Sequence, residues 1–183
     1  MAVYTVGHGT RSTEELVAVL RSAGAGRLVD VRRYPGSRRH PHLAREPLTE
    51  TLPAAGIAYQ WRGEELGGRR RGLHEGSRHP GWDNPAFRSY ADYTDTAPYR
   101  TAITRLMAEA ERDGRPPLAV MCAETLWWRC HRRLIADSLA VHGVEVIHLV
   151  DERNRQLHTA PAIMRVDEDG WPVYDAGVDV PFL

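Results

Sequence analysis

Stretches dominated by apolar residues, without the alternation of a half-exposed strand, stand at residues 3–6, 28–31, 118–121 and 144–149. Runs of that length suit strands covered on both faces, as in a parallel sheet. Between them the apolar spacing becomes helical. Leu16, Val17, Leu20 and Ala23 share one stripe, as do Ile103, Leu106, Met107 and Ala110, and again Leu134, Ile135, Leu139 and Val141. Ser12 and Glu15 have capping-box spacing ahead of the first stripe, and Gly24, Gly26, Gly114 and Gly143 stand where helices should stop. Strand, helix and strand within about thirty residues make a βαβ unit, which is parallel and right-handed. The pattern predicts an α/β protein: a three-layer single domain with a mostly parallel central sheet and helices on both faces.

Other segments carry weaker patterns. Leu48, Leu52 and Ala55 suggest a short helix ending at Gly56, with Pro53 awkwardly inside it, and residues 57–61 suggest a further strand. Phe87, Tyr90 and Tyr93 point to another short helix. Residues 62–85 are dominated by Gly, Arg, His and Pro and read as a long loop, which in a compact domain is usually functional or disordered. The pattern fades after Leu149, apart from Trp171-Pro172-Val173-Tyr174 as a closing strand or hairpin. The expected organisation is an α/β core over residues 1–150, interrupted at about 62–85, with an extension over 151–183 packed on it.

Composition narrows the setting. A chain of 183 residues is long enough for one well-buried domain and short for two. Lys+Arg and Asp+Glu are equal at 24 each, so no global field recruits nucleic acid or membrane, although arginines concentrate over residues 32–45 and 62–78. No signal-like start and no apolar stretch of spanning length occurs. With only two cysteines, eight apart, the expectation is a cytoplasmic protein with free thiols and no membrane partner; an oligomer remains open.

The candidate chemistry clusters by position. His8, Asp30 with Arg32, Trp61, Cys122 with Glu124, and His148 with Asp151 all follow the carboxyl ends of expected strands. In open α/β sheets that edge is where ligands bind. Cys122 reads either as a nucleophile, with its thiolate favoured by Arg129, Arg132 or His131, or as a small residue ending a core strand. Glu124, beside Trp127 and Trp128, reads either as a general acid or base with a raised pKa or as a structural partner of Arg129 or Arg132. His8, between two glycines, and His131, at a helix start, are candidate assisting groups. Asp30 and Arg32 share a strand face and either reach a pocket or pair locally. Tyr34, Trp61 and Trp128 are candidate stacking surfaces for a base. Cys122, Cys130, His131 and His8 offer metal-ligand atoms, but the spacing C-x7-C-H is not a usual zinc pattern, so neither metal nor cofactor is expected.

Several stretches resemble the domain of unknown function 488 family: Thr5-Val6-Gly7-His8-Gly9-Thr10, Leu28-Val29-Asp30-Val31-Arg32 with Pro35 and Ser37, Glu65-Leu66-Gly67-Gly68, and above all Met121-Cys122-Ala123-Glu124 followed by Trp128-Arg129-Cys130-His131-Arg132. Gly9 stands where the family usually has Ser, and Pro53 interrupts a segment that is normally helical. The resemblance implies an α/β fold and a cytoplasmic setting, and no settled activity. A more distant, topological likeness is to rhodanese-like domains, in which a cysteine directly after such a strand carries sulfur; Cys122 holds the comparable place.

The leading expectation is an enzyme binding a phosphate-bearing small molecule or nucleic acid. Arg32, Arg129 and Arg132 would hold the anion and Glu124 would transfer protons in hydrolytic or lyase-type cleavage. No G-x-G-x-x-G follows a strand, which disfavours dinucleotide redox chemistry. The alternatives are thiol chemistry at Cys122 and a non-catalytic nucleic-acid-binding module.

Overall fold

The computed structural model describes residues 1–36, 38–72, 76–112 and 114–176. The four apolar runs form the centre of a six-stranded sheet. Ala2–Gly7 (β1), Arg27–Asp30 (β2), Ala58–Trp61 (β3), Leu118–Cys122 (β4), Glu145–Leu149 (β5) and Arg155–Leu157 (β6) lie in the order β3-β2-β4-β1-β5-β6. All neighbours are parallel except β5 and β6. All five residues of β4 are buried, which explains why its sequence shows no alternation.

The side chains of alternate strand residues enter two separate cores. On one face, Leu16 and Leu20 of Thr13–Ser22 (α1) and Leu48 and Leu52 of Arg45–Ala54 (α2) pack on Val6, Leu28, Ala119 and Met121. On the other, Tyr90 of Pro85–Thr94 (α4), Tyr99 and Ile103 of Ala97–Glu111 (α5) and Leu134 and Leu139 of Arg132–Val141 (α6) pack on Val3, Val29, Val120 and Val146. Each such fully buried aliphatic side chain stabilises the fold by roughly 1.5–3 kcal/mol. The three layers are those expected from the sequence.

The expected capping box is formed: Ser12 Oγ accepts from Glu15 N at 3.2 Å while Glu15 accepts from Ser12 N at 2.7 Å. Pro53 sits in the last turn of α2, which ends one residue later, so it removes only one helical hydrogen bond. The 62–85 stretch is not wholly a loop: Gly63–Leu66 forms a helical turn (α3) with Leu66 buried. Residues 73–75 lie outside the described residues. The tail supplies β6, absent from the sequence pattern, and a separate hairpin of Met164–Val166 (β7) and Pro172–Tyr174 (β8). Tyr174 enters the core and donates its hydroxyl to buried Asp137 of α6 at 2.8 Å.

Strand order defines a switch point. From β1 the chain crosses to β2 on one side, and from β4 it crosses to β5 on the other, with α1 and α6 covering opposite faces. A crevice therefore opens between the carboxyl ends of β1 and β4.

Candidate functional site

Register brings the two ends of that crevice together. Gly7 lies opposite Cys122, and the pairing continues past both strands: His8 N donates to Cys122 O and Gly9 N to Ala123 O, each at 2.9 Å. On the other flank Val31 N donates to Met121 O at 2.9 Å. The turn after β4 is thus pinned on both sides. It approaches β1 so closely that a Cβ on Gly7 would meet Glu124 O at 2.0 Å. Gly9 has φ +54°, and a Cβ there would meet Thr125 Oγ1 at 2.2 Å. Only glycine fits either position without rearrangement.

A cavity of about 680 Å³ stands over this edge. Its lining includes Gly9 and residues 122–125, Cys130 and His131 before α6, Arg33 and Tyr34 after β2, Gly68 and Arg69 after α3, Asn84, Phe87 and Tyr90 from the start of α4, and Arg129. Asn84 caps α4 by accepting from Ala86 N at 2.9 Å. Arg69 adopts φ 56°, the sole non-glycine positive φ among the described residues. Strain of that kind tends to collect at ligand sites.

Two thiols and an imidazole converge within the cavity. His131 Nδ1 is 3.7 Å from Cys122 Sγ and 3.7 Å from Cys130 Sγ. Both cysteines are buried and unbridged. The Cys122 thiol is held well below the ordinary thiol range, chiefly by hydrogen bonding from Cys130, then by His131 and Arg132. Burial, then the Cys122 thiolate, pushes Cys130 well up.

The residues expected at the site divide into two groups. Cys122, Glu124, His131, Tyr34, Arg129 and Arg32 line the cavity. Glu124 is exposed, with one oxygen accepting from Leu126 N at 3.3 Å, so the apolar surroundings expected from Trp127 and Trp128 do not enclose it. Arg32 reaches the cavity wall but its guanidinium is engaged elsewhere. Nε and Nη2 bind both oxygens of Asp30, with the ion pair at 2.6 Å, and Nη1 donates to Leu43 O at 2.8 Å and to His8 Nε2 at 3.1 Å. His8 Nδ1 donates to Gly9 O, and burial followed by the Arg32 charge lowers its pKa to about 4. Asp30 also accepts from Tyr59 Oη at 2.7 Å.

Arg132 does not hold an anion in this cavity. It is buried, donating to the carbonyls of Glu124 and Thr125, and so clamps the turn from behind. His8, Asp30, Trp61 and Trp128 also lie outside the lining. Trp61 Nε1 donates to Arg32 O at 2.8 Å, and Trp128 is 41% exposed on the surface. His148 is buried beneath Trp127, stacked at 4.1 Å, whereas Asp151 organises an exposed turn by accepting from Arg153 N and Asn154 N. Sequence reasoning missed the wall built by Asn84, Phe87 and Tyr90. Their signal was the Asn-Pro helix start, which marks α4 but not what it faces.

The model of the family described as a domain of unknown function, DUF488, matches residues 12–139. No curated protein and no solved structure matches the chain.

Proposed function

The chain belongs to the DUF488 family, and we propose that it is an enzyme acting on a phosphate-bearing substrate, a nucleotide or a nucleic-acid end, by hydrolytic or lyase-type cleavage in the cavity over β1 and β4. One observation carries this reading. Arg33, Arg69 and Arg129 meet around the cavity and none of them forms an ion pair among the described residues. Three guanidiniums around one concave space repel one another, and a bound phosphate relieves that repulsion while accepting forked hydrogen bonds. Tyr34, 64% exposed at the rim with the Arg33 and Arg69 guanidiniums 5.8 and 6.0 Å from its ring centroid, is the stacking surface of this reading. Glu124 is the carboxylate in the lining among the described residues and is the proton-transfer group of this reading.

Thermal unfolding with inorganic phosphate, mononucleotides and short oligonucleotides tests it. A ligand at about a hundred times its dissociation constant adds about 2.7 kcal/mol of stability. Arg129→Gln should lose that stabilisation, whereas Glu124→Gln should keep it and lose turnover of the stabilising ligand. No stabilisation of the wild type by any of these anions overturns the reading.

A second reading, thiol chemistry at Cys122, is favoured by the placement of Cys122 Sγ within the cavity beside His131. A Cys122→Ser protein with full activity would end it.

A further inference from the structure

We propose that Cys122, Cys130 and His131 form a zinc site, binding through the two Sγ atoms and His131 Nδ1, with a fourth coordination position open to the cavity. This goes beyond the anion-binding reading and does not depend on it. The three ligand atoms all lie within 4.8 Å of one another, the two sulfurs each 3.7 Å from the nitrogen. A tetrahedral zinc with Zn–S near 2.3 Å and Zn–N near 2.0–2.1 Å has ligand-to-ligand edges of roughly 3.5–3.8 Å. The two sulfur–nitrogen distances already have that length.

Hydrogen bonding alone is a poor account of the arrangement. A neutral imidazole nitrogen has one lone pair or one proton, yet Nδ1 faces two sulfurs at the same distance. Three ligand atoms that face a common centre satisfy all three at once. The imidazole is also fixed in that orientation: its ring meets Tyr90 edge-on with centroids 4.9 Å apart and lies against Gly68, where a Cβ would come within 2.9 Å of Nδ1. Gly68 is therefore a positioning residue for the site.

The spacing escapes zinc patterns because the ligands do not come from one knuckle. Cys122 ends a central strand, and Cys130-His131 precede α6; the turn between them folds back because Arg132 clamps the Glu124 and Thr125 carbonyls. Two thiolates and an imidazole are a soft donor set, suited to zinc and unsuited to magnesium or calcium. Three protein ligands beside a cavity is the form of a zinc centre with an open position.

Cobalt(II) titration of the full chain, purified under reductant and freed of metal by a chelator, tests the proposal. The expected result is one equivalent bound with intense tetrahedral visible absorption and a thiolate-to-cobalt charge-transfer band, both displaced by zinc. Cys130→Ser and His131→Ala should lose the tetrahedral spectrum, and Gly68→Ala should weaken binding about 10–100-fold through the displaced ring. A weak octahedral-type spectrum in the wild type overturns the site, as does an unchanged spectrum in Cys130→Ser. Should that variant not fold, the charge-transfer band of the wild type still decides, since it requires sulfur ligation. Phosphate stabilisation without cobalt binding leaves the anion reading and removes this one; cobalt binding without anion stabilisation does the reverse.

Discussion

The guanidinium of Arg132 lies against the α-carbon of Gly7: a Cβ there would sit 2.7 Å from Nη1. The same Nη1 donates to the Glu124 carbonyl, and Nη2 to the Thr125 carbonyl at 2.8 Å. A missing side chain on β1 and a buried cation on α6 together seat the turn that carries Glu124. Gly7→Ala should cost about 1–3 kcal/mol through overpacking. Arg132→Met leaves two carbonyls short of a donor and should cost about 2–4 kcal/mol. Urea unfolding measures both, with exposed Arg153→Met as a control expected within about 0.5 kcal/mol. Wild-type stability in Arg132→Met would refute the clamp.

Asp30 has no solvent exposure and holds Arg32 in a bidentate pair, with Tyr59 as a further donor. Breaking a buried pair from one side strands the other charge, at about 3–5 kcal/mol. Asp30→Asn is therefore expected to be far less stable than Tyr59→Phe, which loses one hydrogen bond at about 1–2 kcal/mol. Equal losses in calorimetry would show that Arg32 finds another partner.

Burial, aided by Arg32, lowers the His8 pKa to about 4; burial, aided by His158, lowers that of His148 to about 3. An unfolded histidine titrates near 6.5, so below that value the unfolded chain takes up protons that the native state refuses. These groups contribute full stability above pH of about 6.5, and it falls as the pH drops toward 4. Denaturant midpoints should decline over that window, and the decline should be shallower in His148→Gln, where Thr5 Oγ1 and His158 lose their imidazole partner. An identical slope in the variant would place the proton uptake elsewhere.

Arg69 combines a positive φ with a cation that forms no ion pair among the described residues. Arg69→Gly should raise stability by about 1 kcal/mol, since glycine adopts φ 56° freely. The same change should weaken phosphate binding several-fold. Calorimetry with and without phosphate separates the effects, and a variant that is neither more stable nor weaker in binding would count against both.

The sequence by itself determined the layered fold, because burial on two faces forbids polar alternation and helical burial demands its own period. Leu118–Cys122 as a central strand and Ser12 with Glu15 as a helix start follow from neighbours within a few residues. So did the gathering of His8, Asp30, Cys122 and Glu124 at one sheet edge, since parallel strands all end on the same side. The tertiary structure decided which of them face the cavity. Arg32 and Arg132 look no different in sequence from Arg33 and Arg129, yet the guanidiniums of the first two are engaged by Asp30, Leu43, Glu124 and Thr125, while the latter two line the cavity with no ion pair among the described residues. Cys122 and Cys130, separated by a turn with no periodicity, share a centre with His131 only because that turn folds back against Gly7 and Gly9. Apolar periodicity is a local record of burial. The partners of a long polar side chain are set by whatever distant backbone comes within its reach, and no local pattern records that.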